Sequence, residues 1–270
     1  MLRQQVISHV PHSSTVIPKE FQKEFLVDRE NLQKELLKMT DWYTDELFHH
    51  GEECTIVHTY SRLICDPERF LEPDAEAMWR RGMGMYYTVT SDLRPLKRSP
   101  FTDVASAVSY ARALRLYQRH HERLANAVSQ QLGEYDCALL IDGHSFAANS
   151  LTYEFMSGTR NLRPEICIGT DALHTPLNLK EKTVQYFSDK GFKVALDTPF
   201  SGSLVPEPYY DKKDMRVASI MIEINRSLYM DELTGEKKKE FKQIRTLLQE
   251  FLEEMDVFLQ EQGHGFATNR

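Results

Sequence analysis

The sequence predicts an α/β protein: a mostly parallel or mixed central sheet with helices on both faces. Two observations carry this reading. Short runs such as Ala138-Leu139-Leu140-Ile141 are apolar throughout, as strands buried on both faces must be. Longer stretches with helical periodicity separate these runs, the alternation expected of a covered parallel sheet. At 270 residues, 41% of them hydrophobic, the chain has material for a sizeable core. It is read as one domain over residues 1–270.

The elements follow in order. Residues 4–10 read as a strand. Residues 28–49 read as a helix broken near Thr40, with Leu32, Leu36, Tyr43 and Leu47 on one face. Residues 54–60 alternate like a strand. A long helix over 103–132 opens on Thr102 or Asp103 as cap and closes at Gly133. Strands follow at 137–141 and 165–168. A helix over 179–190 ends at Gly191. Strands at 192–196 and 217–224 come next, and a charged amphipathic helix over about 235–262 ends the pattern. The stretches 66–101 and 197–214 are rich in Pro, Gly or Arg and read as long functional loops.

Composition narrows the function. A net charge of −7 argues against a nucleic-acid partner, which needs clustered basic residues. No apolar stretch approaches the ~20 residues that span a bilayer. The amino terminus runs straight into a strand, so no signal peptide is expected. Cys54, Cys65, Cys137 and Cys167 form no CxxC pair and read as free thiols of a cytoplasmic protein. There is no GxSxG elbow and no phosphate loop.

Three polar residues end strand-like runs. His12 follows Gln5–Pro11, His144 follows Ala138–Gly143, and Glu223 follows Ala218–Ile222. Strand ends gather along one edge of an open α/β sheet, where ligands bind. Two imidazoles and a carboxylate there point to a catalytic metal with its base. A third ligand is needed, and Asp41 and Asp45, one helical turn apart, both qualify. Asp41 is preferred because a break at Thr40 would put it at the start of a new helix. His121, in mid-helix, could face the site. Glu223, between Ile222 and Ile224, is either paired with Arg226 or a base whose pKa burial raises. Arg62, Arg69 and Arg226 could grip substrate carboxylates, or Arg62 and Arg69 could pair with Asp66 and Glu68.

Five segments together resemble the N-formylglutamate amidohydrolase family. They are Pro11-His12-Ser13-Ser14 with Pro18, Thr40–Leu47, Ser61-Arg62-Leu63 to Arg69, Asp142-Gly143-His144-Ser145, and Ile222–Met230. They span residues ~6 to ~232 in the family's order, nearly the whole of a domain this size. The resemblance implies a zinc carboxypeptidase-like fold. It also implies a zinc ion held by His12, His144 and Asp41 or Asp45, with Glu223 as general base. Arg62, Arg69 and Arg226 would bind the carboxylates of a small acidic N-acyl amino acid. Iron, cobalt or manganese would also suit such ligands. Family members tend to read aspartate-leucine-asparagine-arginine where this chain has Asp66-Pro67-Glu68-Arg69. A peptidase or desuccinylase on the same site is the nearest alternative reaction. A non-catalytic binder of acidic metabolites is the alternative of another class.

Overall fold

The computed structural model describes residues 4–157 and 163–262. Its centre is a six-stranded sheet built from β1 (Ile7–Val10), β2 (Thr55–Val57), β3 (Ala138–Phe146), β4 (Ile166–Thr170), β5 (Val194–Leu196) and β6 (Val217–Asn225). The order is β2-β1-β3-β6-β4-β5. Every pairing is parallel except β4 against β6. The predicted α/β class is therefore observed, with the sheet mixed. Among the described residues no helix is long and apolar enough to cross a membrane.

Both sheet faces are covered. Leu139 and Ile141 of β3 and Ile220, Ile222 and Ile224 of β6 pack with α4 (Leu177–Asp189) and α5 (Phe241–Gln262). Ala138, Leu140 and Val217 face the other way, against Leu124 and Val128 of α3 (Val104–Tyr135). Since side chains alternate along a strand, Asp142 and His144 share the α3 face with Leu140, and Glu223 shares it with Val217. Gly143 makes the intervening step possible: a Cβ there would come 2.6 Å from Cγ of Phe48.

Local signals set most element ends. Asp28 accepts a hydrogen bond from the Asn31 amide and caps α1 (Arg29–Met39). Asp103 does the same for α3 through the Ser106 amide. Three boundaries depart from expectation. The 28–49 helix does break at Thr40, but Tyr43 then takes a left-handed backbone (φ 65°) before the short α2 (Thr44–Leu47). Helical register is lost across the gap, so Leu36 and Leu47 join different clusters instead of sharing a face. Gly133 does not end α3. It is an exposed helical position with nothing near a would-be Cβ, and the helix runs on until Asp136 turns left-handed. The last helix starts at Phe241 rather than near 235, because a turn with Gly235 at φ +79° precedes it.

Candidate metal centre and active site

The C-terminal ends of β1 and β3 bring His12 and His144 together. Their Nδ1 atoms lie 3.3 Å apart. Asp41 Oδ2 lies 3.1 Å from His144 Nδ1 and 3.6 Å from His12 Nδ1. All three residues are almost wholly buried. Asp41 is pinned from both sides: its amide donates to the His12 carbonyl, and Thr44 Oγ1 donates to its own carbonyl. Asp45 is exposed. The expectation that Asp41 and Asp45 share a helical face fails, because residues 41–43 are not helical.

The outer nitrogen of each imidazole is occupied. His12 Nε2 lies 2.9 Å from Asp66 Oδ1. His144 Nε2 lies 3.2 Å from Asp142 Oδ1 and 3.1 Å from Glu68 Oε2. Carboxylates can only accept there, so each Nε2 carries hydrogen, and each ring in its neutral form turns its Nδ1 lone pair inward. Two lone pairs and a carboxylate oxygen then face one another at close range. Such a set of donors could hold a cation. A tetrahedral ion with bonds of about 2.0–2.1 Å holds its ligand atoms about 3.3 Å apart, which the observed 3.1, 3.3 and 3.6 Å edges match. Carboxylates behind metal-ligating histidines are the usual outer support of such a site.

Electrostatics point the same way. Burial alone would lower the pKa of both histidines, yet the surrounding carboxylates hold both above the ordinary value. Burial alone would raise Asp41 and Asp142, yet the imidazoles, with Arg62 beside Asp41, keep both well below the carboxylate range. The pocket favours positive charge at its centre.

Glu223 stands in register with His144 on the neighbouring strand. Its Oε2 is buried with no hydrogen-bond partner among the described residues. Burial pushes its pKa up to about 8, helped by the nearby Asp41 and Glu68. Arg226 does not neutralise it. The Arg226 Nη1 donates to the carbonyls of Leu37, Lys38 and Thr40, closing the end of α1 beside Asp41.

Arg62 and Arg69 border the same cavity. Arg62 donates to Asp66 Oδ2 at 2.8 Å and to the Tyr87 hydroxyl at 3.2 Å. Arg69 is held more loosely, its Nε 3.6 Å from Asp66 and its Nη1 3.7 Å from Glu76. Among the described residues the Nε of each guanidinium is buried without a hydrogen-bond partner. His121 also lines the cavity, and its Nε2 donates to the Pro67 carbonyl at 2.7 Å, steadying the 66–69 loop.

Sequence reasoning missed Asp142, Asp66, Glu68 and His9 as parts of the site. The sequence offers Asp66 and Glu68 as arginine partners; Asp66 is one, but Glu68 turns to the histidines. His9 Nδ1 lies 2.8 Å from Asp142 Oδ1, and its Nε2 lies 2.8 Å from His120 Nε2. Asp142 thus takes hydrogen bonds from His9 and His144 on one oxygen, and from the Leu204 amide on the other. Period-two spacing could have found Asp142, two residues before His144 on one strand face. His9, Glu68 and Asp142 also bring ligand-type atoms within 4.8 Å of one another, as do His12, Glu68 and His144.

The chain matches the family model for N-formylglutamate amidohydrolase over residues 4–230. Among solved structures it is similar to an N-formylglutamate amidohydrolase from Ralstonia eutropha JMP134. That likeness has a TM-score of 0.78 and 22% identity over 96% of this chain and 95% of that one. It is also similar to the gene product Atu2144 from Agrobacterium tumefaciens, with a TM-score of 0.61 and 16% identity over 96% and 90% of the two chains. No curated protein matches it.

Proposed function

This chain belongs to the N-formylglutamate amidohydrolase family, and from that premise we propose that it is a metal-dependent hydrolase of the N-acyl amide of an acidic amino acid. For N-formylglutamate the products are formate and glutamate. One observation carries the metal dependence: the buried triangle of His12 Nδ1, His144 Nδ1 and Asp41 Oδ2, with an unpartnered Glu223 oxygen on the next strand.

His12, His144 and Asp41 would hold the ion, zinc by the nature of these donors. When bound, such an ion supplies Lewis-acid polarisation and lowers the pKa of water. Glu223 removes a proton from the attacking water as its oxygen bonds to the acyl carbon. The same carboxyl then delivers that proton to the departing nitrogen as the C–N bond breaks. A positive charge held at the triangle would favour the ionised form of Glu223, whose pKa burial raises. Arg62 and Arg69 supply the anion site for the substrate carboxylates. Arg226 serves them indirectly, by fixing the end of α1 and so the position of Asp41.

Formate release from N-formyl-L-glutamate, assayed with and without a chelator, tests this reading. Release that stops on chelation and returns with zinc is the expected result. Release that persists in the metal-stripped protein would remove the metal from the reaction.

The His9–Asp142–His144 chain should also matter. His9→Leu is expected to weaken zinc binding about tenfold, at the low end of the effect of outer-shell partners. His9→Asn, which keeps a donor near the Nδ1 position, should retain most of the affinity. Zinc competition against a chromophoric chelator measures both, and equal affinity in wild type and His9→Leu would show that Asp142 holds His144 unaided.

A further inference from the structure

Lys38, Arg62, Arg69, Arg81 and Arg226 line the cavity onto which the metal centre opens. All but Arg81 meet a carboxylate. Lys38 donates to Asp92 at 2.8 Å. Arg62 reaches Asp66 at 2.8 Å and lies 3.7 Å from Asp41. Arg69 lies 3.6 Å from Asp66 and 3.7 Å from Glu76, and Arg226 lies 3.8 Å from Glu232. Among the described residues Arg81 pairs with no carboxylate. Its Nη1 meets neutral groups, the Tyr153 carbonyl at 3.3 Å and Met78 Sδ at 3.9 Å. The acids near these partners are already engaged. Glu154, next to Tyr153, pairs with Arg163 and accepts from the Leu151 amide. Asp92, which holds Lys38, also accepts from Thr152 Oγ1.

Arg81 is built into its place. It ends the 3-10 helix Trp79–Arg81, and the next residue, Gly82, turns left-handed (φ +77°) while its amide donates to the Trp79 carbonyl. A Cβ on Gly82 would come 2.5 Å from Thr88 Oγ1, so the tight turn requires glycine. The turn presents Arg81 half-buried against the cavity. A guanidinium withdrawn from water without an anion carries a desolvation cost, which an incoming carboxylate offsets.

An N-acyl acidic amino acid brings an α-carboxylate and a side-chain carboxylate. The α-carboxylate sits on the carbon bonded to the scissile nitrogen, so it binds close to the metal centre. Arg62 is the guanidinium beside that centre, through its approach to Asp41. The side-chain carboxylate extends farther out, and Arg81, whose contacts include none of the centre's residues, lies on the cavity wall beyond it. We propose that Arg81 binds the side-chain carboxylate of the substrate and so sets the preference for an acidic amino acid. This deepens the amidohydrolase reading of the same cavity and rests on it for turnover. Arg62, with Arg69, keeps the α-carboxylate.

N-formyl-L-glutamate and N-formyl-L-glutamine test this, because they share a shape and differ in the charge of the side-chain end. Affinity is measured by calorimetry on the zinc-loaded Glu223→Gln variant, which does not consume the ligand, and turnover on the zinc-loaded protein. The glutamate compound should bind about ten- to a hundredfold more tightly than the glutamine compound, the worth of charge-assisted hydrogen bonds. Adding Arg81→Met, which keeps the side-chain length and loses the charge, should remove most of that ratio. Arg81→Lys should restore part of it, since a point charge pairs less well with a carboxylate than a guanidinium fork. In turnover the same loss should appear in KM for the glutamate compound, with kcat little changed. Equal affinity for the two compounds before Arg81 is altered would overturn the proposal, as would a ratio that Arg81→Met leaves intact or a loss that falls alike on both ligands. Formate release that continues in any of these cases leaves the amidohydrolase reading standing. A ratio that depends on Arg81 without turnover of either compound would uphold the carboxylate site and overturn the amidohydrolase reading. Should Arg81→Met fail to fold, a ratio unmoved by Arg81→Lys would overturn the proposal in its place.

Discussion

Replacing Glu223 with Gln is expected to cut turnover by about two to four orders of magnitude, the usual contribution of a positioned proton-transfer group. Glutamine keeps the shape of the side chain and loses its ability to take a proton. Metal content should not change, because Glu223 lies outside the donor triangle of His12, His144 and Asp41. Fold stability should hold or rise, because the variant removes a buried carboxylate whose Oε2 has no hydrogen-bond partner. Turnover, metal analysis and thermal unfolding on one preparation check all three. A variant with near-native turnover would remove the base role. A variant that lost metal would place Glu223 among the ligands instead.

Asp41→Asn is expected to be as damaging by a different route. It removes the negative charge that faces two Nδ1 lone pairs, and an amide is a far poorer ligand for zinc than a carboxylate. Zinc affinity should fall by more than about a hundredfold, beyond the 10–100-fold typical of outer-shell partners. Turnover at limiting zinc should disappear with it. Asp45→Asn, at an exposed position, should leave both unchanged. Equilibrium dialysis against buffered zinc reads the pair of variants directly. Comparable losses in both would mean that α2 is turned differently in solution, and native affinity in Asp41→Asn would transfer the third ligand to Glu68, whose Oε2 lies 3.9 Å from His12 Nδ1.

Much of this protein was legible in its sequence, for local reasons. Strands buried on both faces must be apolar throughout, so β3 and β6 announced themselves, and helices capped by Asp28 and Asp103 carried their own start signals. His12, His144 and Glu223 stood out because a polar side chain closing an apolar strand must project from the sheet edge. The resemblance to a family also rested on short contiguous segments. What tertiary structure decided was the pairing of segments remote in the chain. Asp41 and His144 are 103 positions apart, and no periodicity relates them. Asp41 and Asp45 part at the left-handed residue Tyr43, which breaks the helical register that makes the two look equivalent. Glu68 turned to the histidines, not to its neighbouring arginines, because the loop after β2 folds over the ends of β1 and β3. Arg226 closes the end of α1 from 186 residues away. Residue types and local spacing announce which groups could do chemistry; only the order of strands in the sheet determines which of them meet, because that order depends on long-range packing.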